Sequence, residues 1–173
     1  VFALNSSRCV DGLRGFLGVD DFAVEEREGL TFAHLPETEE NRGLGKLFLQ
    51  HAGCGASSRK SEELLVRAGR LDRRHREDRV EENADVVVRS NLAEAFGEID
   101  SREVMLAASG MNAFYALFQA VLETRRPAGR TIWVQLGWLY VDTMMILQKF
   151  LDPEEELVVI EDLSDLESIR RLL

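Results

Sequence analysis

Residues 131–160, TIWVQLGWLYVDTMMILQKFLDPEEELVVI, decide the fold class. The run TIWVQL is short, apolar and rich in β-formers, and it stops at Gly137. VDTMMILQKFL then carries the length and spacing of a helix, and ELVVI is a second β-branched run after Pro153. Two strands joined in this way call for a parallel pair with a helical crossover, since parallel neighbours cannot be linked by a tight turn.

The same alternation extends in both directions. EVMLAA (103–108) reads as a further strand, MNAFYALFQAVLET (111–124) as a buried helix and RRPAGR (125–130) as a turn. SDLESIRRLL (164–173) reads as a closing helix in which Ser164 and Glu167 fit a capping box. Residues 101–173 are thus expected to run βαβαβα, and the fold class is α/β.

The first hundred residues are expected to form an irregular portion with helices. Glycines at 12, 15, 18, 29, 43, 45, 53 and 55 predict short strands and loops over the first sixty. EENRGLGKLFLQHAG (39–53) holds a short helix ending near Gly53. Ser58 is placed to cap another, with Leu64, Leu65 and Ala68 inward and Glu62, Glu63 and Arg67 in water. Ala84, Val88, Leu92 and Ala95 are spaced for one buried face of a further helix, with Gly97 as its stop.

Composition narrows the function classes. The chain has 31 acidic against 21 basic residues, a net charge of −10, which disfavours nucleic acid and anionic membrane as partners. Its longest apolar runs are interrupted by polar residues and read as core, not as membrane spans. Cys9 and Cys54 lie far apart in sequence and make no disulfide framework, so a reducing, cytoplasmic compartment is expected. The arginines at 70, 73, 74, 76 and 79 alternate with Asp72, Glu77 and Asp78 and read as a solvated, salt-bridged face. GLGKLF has no Ser or Thr after Lys46 and is no Walker loop. Val1 opens the chain without an initiator Met and SIRRLL closes it without a polar tail, so a fragment, or at least processed ends, is expected.

Three places can carry chemistry. In AASGMNAFYALF (107–118) an apolar run turns into a helix at Ser109-Gly110 with no loop between. Ser109 can cap, Gly110 lets a ligand approach the backbone, and the amides of Gly110, Met111 and Asn112 can point at an anion such as a phosphate. A plain strand-to-helix turn would use the same residues. Tyr140, at the end of the next strand, can lay its ring over a planar ligand, or it can be a core or interface aromatic together with Trp138. In QHAGCGASSR (50–59), His51 and Cys54 are too few for a zinc site, and no metal is expected. Arg59 there is either an anion ligand or an ordinary surface arginine.

Taken in order, LQHAGCGASSR (49–59), ASGMNAF and YVDTMMILQKF resemble segments of the pyridoxal-phosphate enzymes of Cys/Met metabolism, most of all a divergent branch of the cystathionine γ-synthases. The tail EDLSDLESIRRLL is similar to the segment that comes next in those enzymes. The resemblance implies that residues 101–173 begin a fold-type I large domain, a parallel-rich sheet with flanking helices. It implies that Ser109, Gly110 and Met111 hold the phosphate of pyridoxal 5′-phosphate, and that Tyr140 stacks on its ring and takes part in proton transfer. Arg59 is the candidate for the family's phosphate-gripping arginine, with Arg70 to Arg79 in reserve. The complete enzyme would be a transferase or lyase of transsulfuration and methionine biosynthesis, replacing the γ-substituent of an O-acylhomoserine with cysteine. Dimers or tetramers are implied. The family's cofactor-holding lysine and its ring-pairing aspartate lie beyond the last residue here, and Lys46, Lys60 and Lys149 do not stand in the lysine's place. This chain alone is therefore expected to be inactive. The alternative is a non-enzymatic α/β ligand-binding or interaction module.

Overall fold

A computed structural model describes residues 1–75, 77, 83–97 and 99–172. The helix-forming and β-forming runs of the sequence resolve into β1 (Phe2–Leu4), α1 (Arg8–Leu17), β2 (Ala23–Arg27), β3 (Leu30–His34), α2 (Glu39–Ala52), α3 (Ser58–Arg67), α4 (Ala84–Phe96), α5 (Gly110–Arg125), β4 (Ile132–Leu136), α6 (Val141–Lys149), β5 (Glu156–Ile160) and α7 (Leu166–Leu172). Single 3-10 turns stand at Ser101–Glu103 and Arg126–Ala128. Among the described residues this is an α/β chain of seven α-helices with one antiparallel and one parallel sheet. No helix there is long and apolar enough to cross a membrane.

The first sixty residues are more regular than their glycines suggest. β1, β3 and β2 form an antiparallel sheet in that order, with β2 and β3 joined through Glu28-Gly29. Both of those residues have positive φ, 53° and 74°, the backbone that a two-residue type I′ hairpin requires. Residues 8–17 carry Gly12 and Gly15 and so read as loop, yet they form α1. Gly12 in fact marks a close approach: a Cβ there would stand 2.9 Å from the Tyr115 hydroxyl and 3.3 Å from the Phe48 ring. Gly45 does the same in α2, where a Cβ would overlap the Phe2 ring. α2 is otherwise well specified. Thr38 accepts from the Asn41 amide at 3.1 Å, Glu39 and Glu40 favour the positive helix end, and left-handed Gly53 closes it.

The parallel pair forms as the TIWVQL and ELVVI runs predict: Ile132 faces Glu156 and Leu136 faces Ile160, with α6 as the crossover. The third strand expected at 103–108 does not form. None of the described strands pairs with residues 104–108 to complete a ladder. Instead, Arg89 donates to the Val104 carbonyl and the Asn112 carboxamide takes up the Ala108 amide at 3.4 Å. Along β4, Ile132, Val134 and Leu136 face outward while Trp133 and Gln135 turn inward.

Three further details differ from expectation. Ser57, not Ser58, caps α3, accepting from the Lys60 amide at 3.2 Å, and Leu65 and Ala68, expected inward, are exposed. α4 leaves Ala84, Val88 and Ala95 in solvent and buries only Ala93, because it packs chiefly on the Ser101–Glu103 turn and outside both cores. Asp165 takes the capping role expected of Ser164, accepting the Ser168 amide at 3.0 Å, while the Ser164 hydroxyl donates to Asp162. Of the arginine cluster, Arg76 and Arg79, with Asp78, lie outside the described residues.

Two apolar clusters form the interior. One gathers Leu4, Leu13, Phe22, Ala33 and Phe48 under the antiparallel sheet, and the other Phe118, Leu122, Ile146 and Leu147 between α5 and α6. Tyr115 and Phe150 touch both. Phe150 stacks on Phe16 at 4.4 Å between ring centroids and meets Tyr115 edge-on at 5.4 Å, and Phe48 meets Tyr115 edge-on at 5.9 Å. Phe48 is fully buried in this joint. Phe48→Ala is expected to cost about 3–5 kcal/mol of stability, the range for emptying a buried aromatic position. A urea titration followed by circular dichroism measures it.

Candidate functional site

The last turn of α2 is the point on which the predicted ligand-binding turns converge. Ser109 is the N-cap of α5 in extended conformation, and its hydroxyl oxygen accepts the Asn112 amide at 3.1 Å. The same hydroxyl lies 3.4 Å from the Gly53 carbonyl, to which it donates, and the Asn112 side chain donates to the Ala52 carbonyl at 3.1 Å. Gly53 makes this contact possible. Its φ of 60° suits glycine, and a Cβ on it would lie 2.5 Å from the Asn112 amide nitrogen and 2.6 Å from the Ser109 hydroxyl.

One expectation for this turn is corrected. The Asn112 amide is not free for an anion, because the Ser109 cap already occupies it. The amides of Gly110 and Met111 make no hydrogen bond within the described residues, and a Cβ on Gly110 would meet open space. The start of α5 therefore presents two unengaged donors, an approachable backbone and the positive end of a 16-residue helix.

Tyr140 stands at the N-cap of α6 and is two-thirds exposed, and nearby Trp138 is 80% exposed. Neither is a core aromatic. The nearby Asp142 carboxylate pushes the Tyr140 phenol above its ordinary pKa, so the side chain holds its proton at neutral pH. Asp142 also accepts from the Gln50 side chain at 3.2 Å, and the buried His51 ring points Nδ1 at it from 3.5 Å. Gln50 and His51 belong to the same turn of α2 that holds Ser109 and Asn112. The Ser109 and Tyr140 turns are thus both anchored on residues 50–53.

The pairing of His51 with Asp142 goes beyond the sequence reading, in which Asp142 serves only as the start of a helix. The available signal is a polar Gln-His pair in the last turn of an otherwise amphipathic helix. Burial lowers the His51 pKa, Asp142 opposes the shift and Lys149 adds to it, so the ring is neutral at pH 7. Among the described residues, no group of three His, Cys, Asp or Glu could hold a metal ion.

Arg59 is placed differently. Its guanidinium is gripped by Glu77, with Nε 2.6 and 2.9 Å from the two carboxylate oxygens. The pair lies on the wall of an open cleft that also carries Lys60, Arg73, Arg74 and His75, and neither the Ser109 turn nor Tyr140 lines it.

Two variants test this arrangement. Gly53→Ala combines a left-handed backbone with a clash against the Ser109 turn, and about 2–4 kcal/mol of destabilisation is expected from urea denaturation. For His51 the folded pKa is lowered below the unfolded value, so the unfolded state binds the extra proton as pH falls. Stability is therefore complete above the ordinary imidazole range and declines as the solution is acidified from pH 7 to 5. Cys9, whose thiol pKa is lowered to about 6, adds a separate decline that begins in the ordinary thiol range and is complete once the pH has fallen through about 6. The expected difference is that His51→Gln flattens the His51 part of the slope alone, as read from urea midpoints across that range.

Comparison with known proteins finds a relative. The chain is 36% identical over 168 residues to the L-2-amino-4-chloropent-4-enoate dechlorinase/desaturase of Streptantibioticus cattleyicolor. The match covers 97% of the chain but 33% of the relative, so the chain spans about a third of that protein's length. No family model matches. No solved structure matches.

Proposed function

We propose that this chain is the phosphate-binding part of a pyridoxal-phosphate-dependent enzyme that expels a leaving group from the γ-carbon of an L-2-amino acid. The observation that carries the reading is the start of α5, where the Gly110 and Met111 amides are unengaged and no side chain stands over Gly110. The order of the three resembling motifs supports it. So does the relative, whose named substrate is an L-2-amino acid with chlorine on the fourth carbon. An O-acylhomoserine carries its leaving group at the same carbon, so both chemistries ask for the same activation. The parallel β4–α6–β5 unit fits the beginning of a fold-type I large domain.

Pyridoxal phosphate supplies an electron sink for carbanions formed beside the amino group. What this chain would supply is the seat. Gly110 and Met111 donate their amides to the phosphate, helped by the α5 dipole. Ser109 keeps that helix end in place through its bonds to Asn112 and Gly53. Tyr140 offers an exposed ring for stacking, steadied by Asp142, and its phenol is a proton donor and not an acceptor at neutral pH. Arg59 would join only after leaving Glu77. Lys46 and Lys149 are solvent-exposed, and neither is placed at the seat.

Elimination is favoured over replacement with cysteine by the relative's name alone. The longer protein that carries this chain is expected to release chloride from L-2-amino-4-chloropent-4-enoate. Formation of cystathionine from an O-acylhomoserine and cysteine would instead support the γ-synthase reading, and neither activity would favour a binding module. The seat itself is tested by Gly110→Val in that protein. The new side chain fills empty space and leaves the fold intact, but it covers the two amides. At least about a tenfold loss of pyridoxal-phosphate affinity is expected, equivalent to one to two charge-assisted hydrogen bonds. Equal binding by variant and parent in an absorbance titration would remove the phosphate role from this turn.

A further inference from the structure

His51 is a buried polar residue that packing alone does not call for. It is 3% exposed, its ring meets Phe150 edge-on at 6.5 Å between centroids, and its Nδ1 makes no hydrogen bond among the described residues. A buried nitrogen left without a bond costs stability that a leucine of comparable size would not. That nitrogen faces the Asp142 carboxylate at 3.5 Å.

Asp142 matters for the residues that precede it. The Gly137 amide ties the end of β4 to β5, donating to the Ile160 carbonyl at 2.8 Å. Residues 138–141 are then all exposed, and Asp142 is the first after them with a mostly buried side chain, 19% exposed. The segment that carries Tyr140 therefore hangs between β5 and Asp142. From α2, Asp142 is met by Gln50, which donates to Oδ1 at 3.2 Å, and by His51. Gln50 is exposed and its bond competes with water, whereas His51 approaches from the interior, where a polar contact is stronger. The next two residues of the same turn, Ala52 and Gly53, hold Asn112 and Ser109 through their carbonyls.

We propose that His51 is a positioning residue for pyridoxal phosphate: by facing Asp142 it sets where α6 begins, and so how far the Tyr140 ring stands from the Gly110 and Met111 amides. That role rests on the reading of those amides as the phosphate seat. One helical turn, residues 50–53, touches both halves of the site. Its α5 side is held by backbone carbonyls, which no side-chain change at His51 removes, so loss of the imidazole frees the α6 side alone. Inorganic phosphate, which needs only the amides, is indifferent to that freedom. A ligand whose ring must also reach Tyr140 is not.

The test uses the protein at its full length and free of cofactor, with His51→Leu, which keeps the volume, and His51→Asn, whose side-chain nitrogen takes the place of Nδ1. Amide exchange is followed first. In His51→Leu the Met144 and Met145 amides of α6 are expected to exchange about tenfold faster, with those of α5 unchanged, and His51→Asn to restore the parent rate. Titration follows. Affinity for pyridoxal phosphate is expected to fall about fivefold in His51→Leu, the size of one aromatic stacking contact, with inorganic phosphate bound as before. Unchanged exchange in α6, an acceleration spread evenly over α2, α5 and α6, or equal losses for the two ligands would overturn the positioning role and leave the seat standing. An unsubstituted protein that binds neither ligand would overturn the seat, and the positioning role with it. His51→Gln, whose nitrogen reaches the Nε2 place instead, serves as the loss variant if His51→Leu does not fold.

Discussion

The contact of Gly53 with the start of α5 holds the rest of the arrangement in place. A left-handed glycine ends α2, and because it has no side chain the Ser109 hydroxyl and the Asn112 amide can come directly against it. The carbonyls of Ala52 and Gly53, which a helix end would otherwise leave unpaired, are met by Asn112 and Ser109. One helix terminus therefore satisfies the other, negative end to positive end. That same fit consumes the Asn112 amide and leaves those of Gly110 and Met111 facing outward. The geometry of the proposed seat is thus a by-product of how α2 and α5 dock.

The opposite side of the same turn governs α6. Gln50 and His51 reach Asp142, whose charge also acts on the Tyr140 phenol. A neutral, buried imidazole beside a partly buried carboxylate keeps the charge of Asp142 uncompensated except through hydrogen bonds. The carboxylate is also well placed at the positive end of α6, where an anion is favoured. Tyr140 is steadied by this anchor although most of its ring is in solvent.

Much of the C-terminal part is legible in the sequence because its elements carry their own signals. β4, α6 and β5 follow from β-branched runs, helix spacing and the Gly137 and Pro153 punctuation. α5 announces itself by its Ser109 cap. The N-terminal part is harder to read because glycine has two uses. Gly12 and Gly45 look like loop signals, yet each sits inside a helix at a place where an aromatic side chain of another element presses on the backbone. Residues 103–108 have strand composition, but a strand exists only with a neighbour to pair, and none of the described strands lies beside them. In the site, Ser109, Gly110 and Tyr140 are visible from local chemistry. The His51–Asp142 contact and the Arg59–Glu77 grip are long-range, and beyond the polar Gln50-His51 pair in α2 no local segment names their partners.

The ring joint has a consequence for how the molecule comes apart. Phe150 and Tyr115 belong to both apolar clusters, with Phe16 and Phe48 closing the set. Loosening either cluster would strip those rings of neighbours that the other cannot replace, so the two are expected to share a single cooperative transition. α4 is the counterexample. With one buried residue and a 3-10 turn as its chief support, it has little to lose by opening on its own. Amide exchange would then divide the chain by shared burial and not by position along it, with α2, α5 and α6 protected together and α4 exchanging ahead of them.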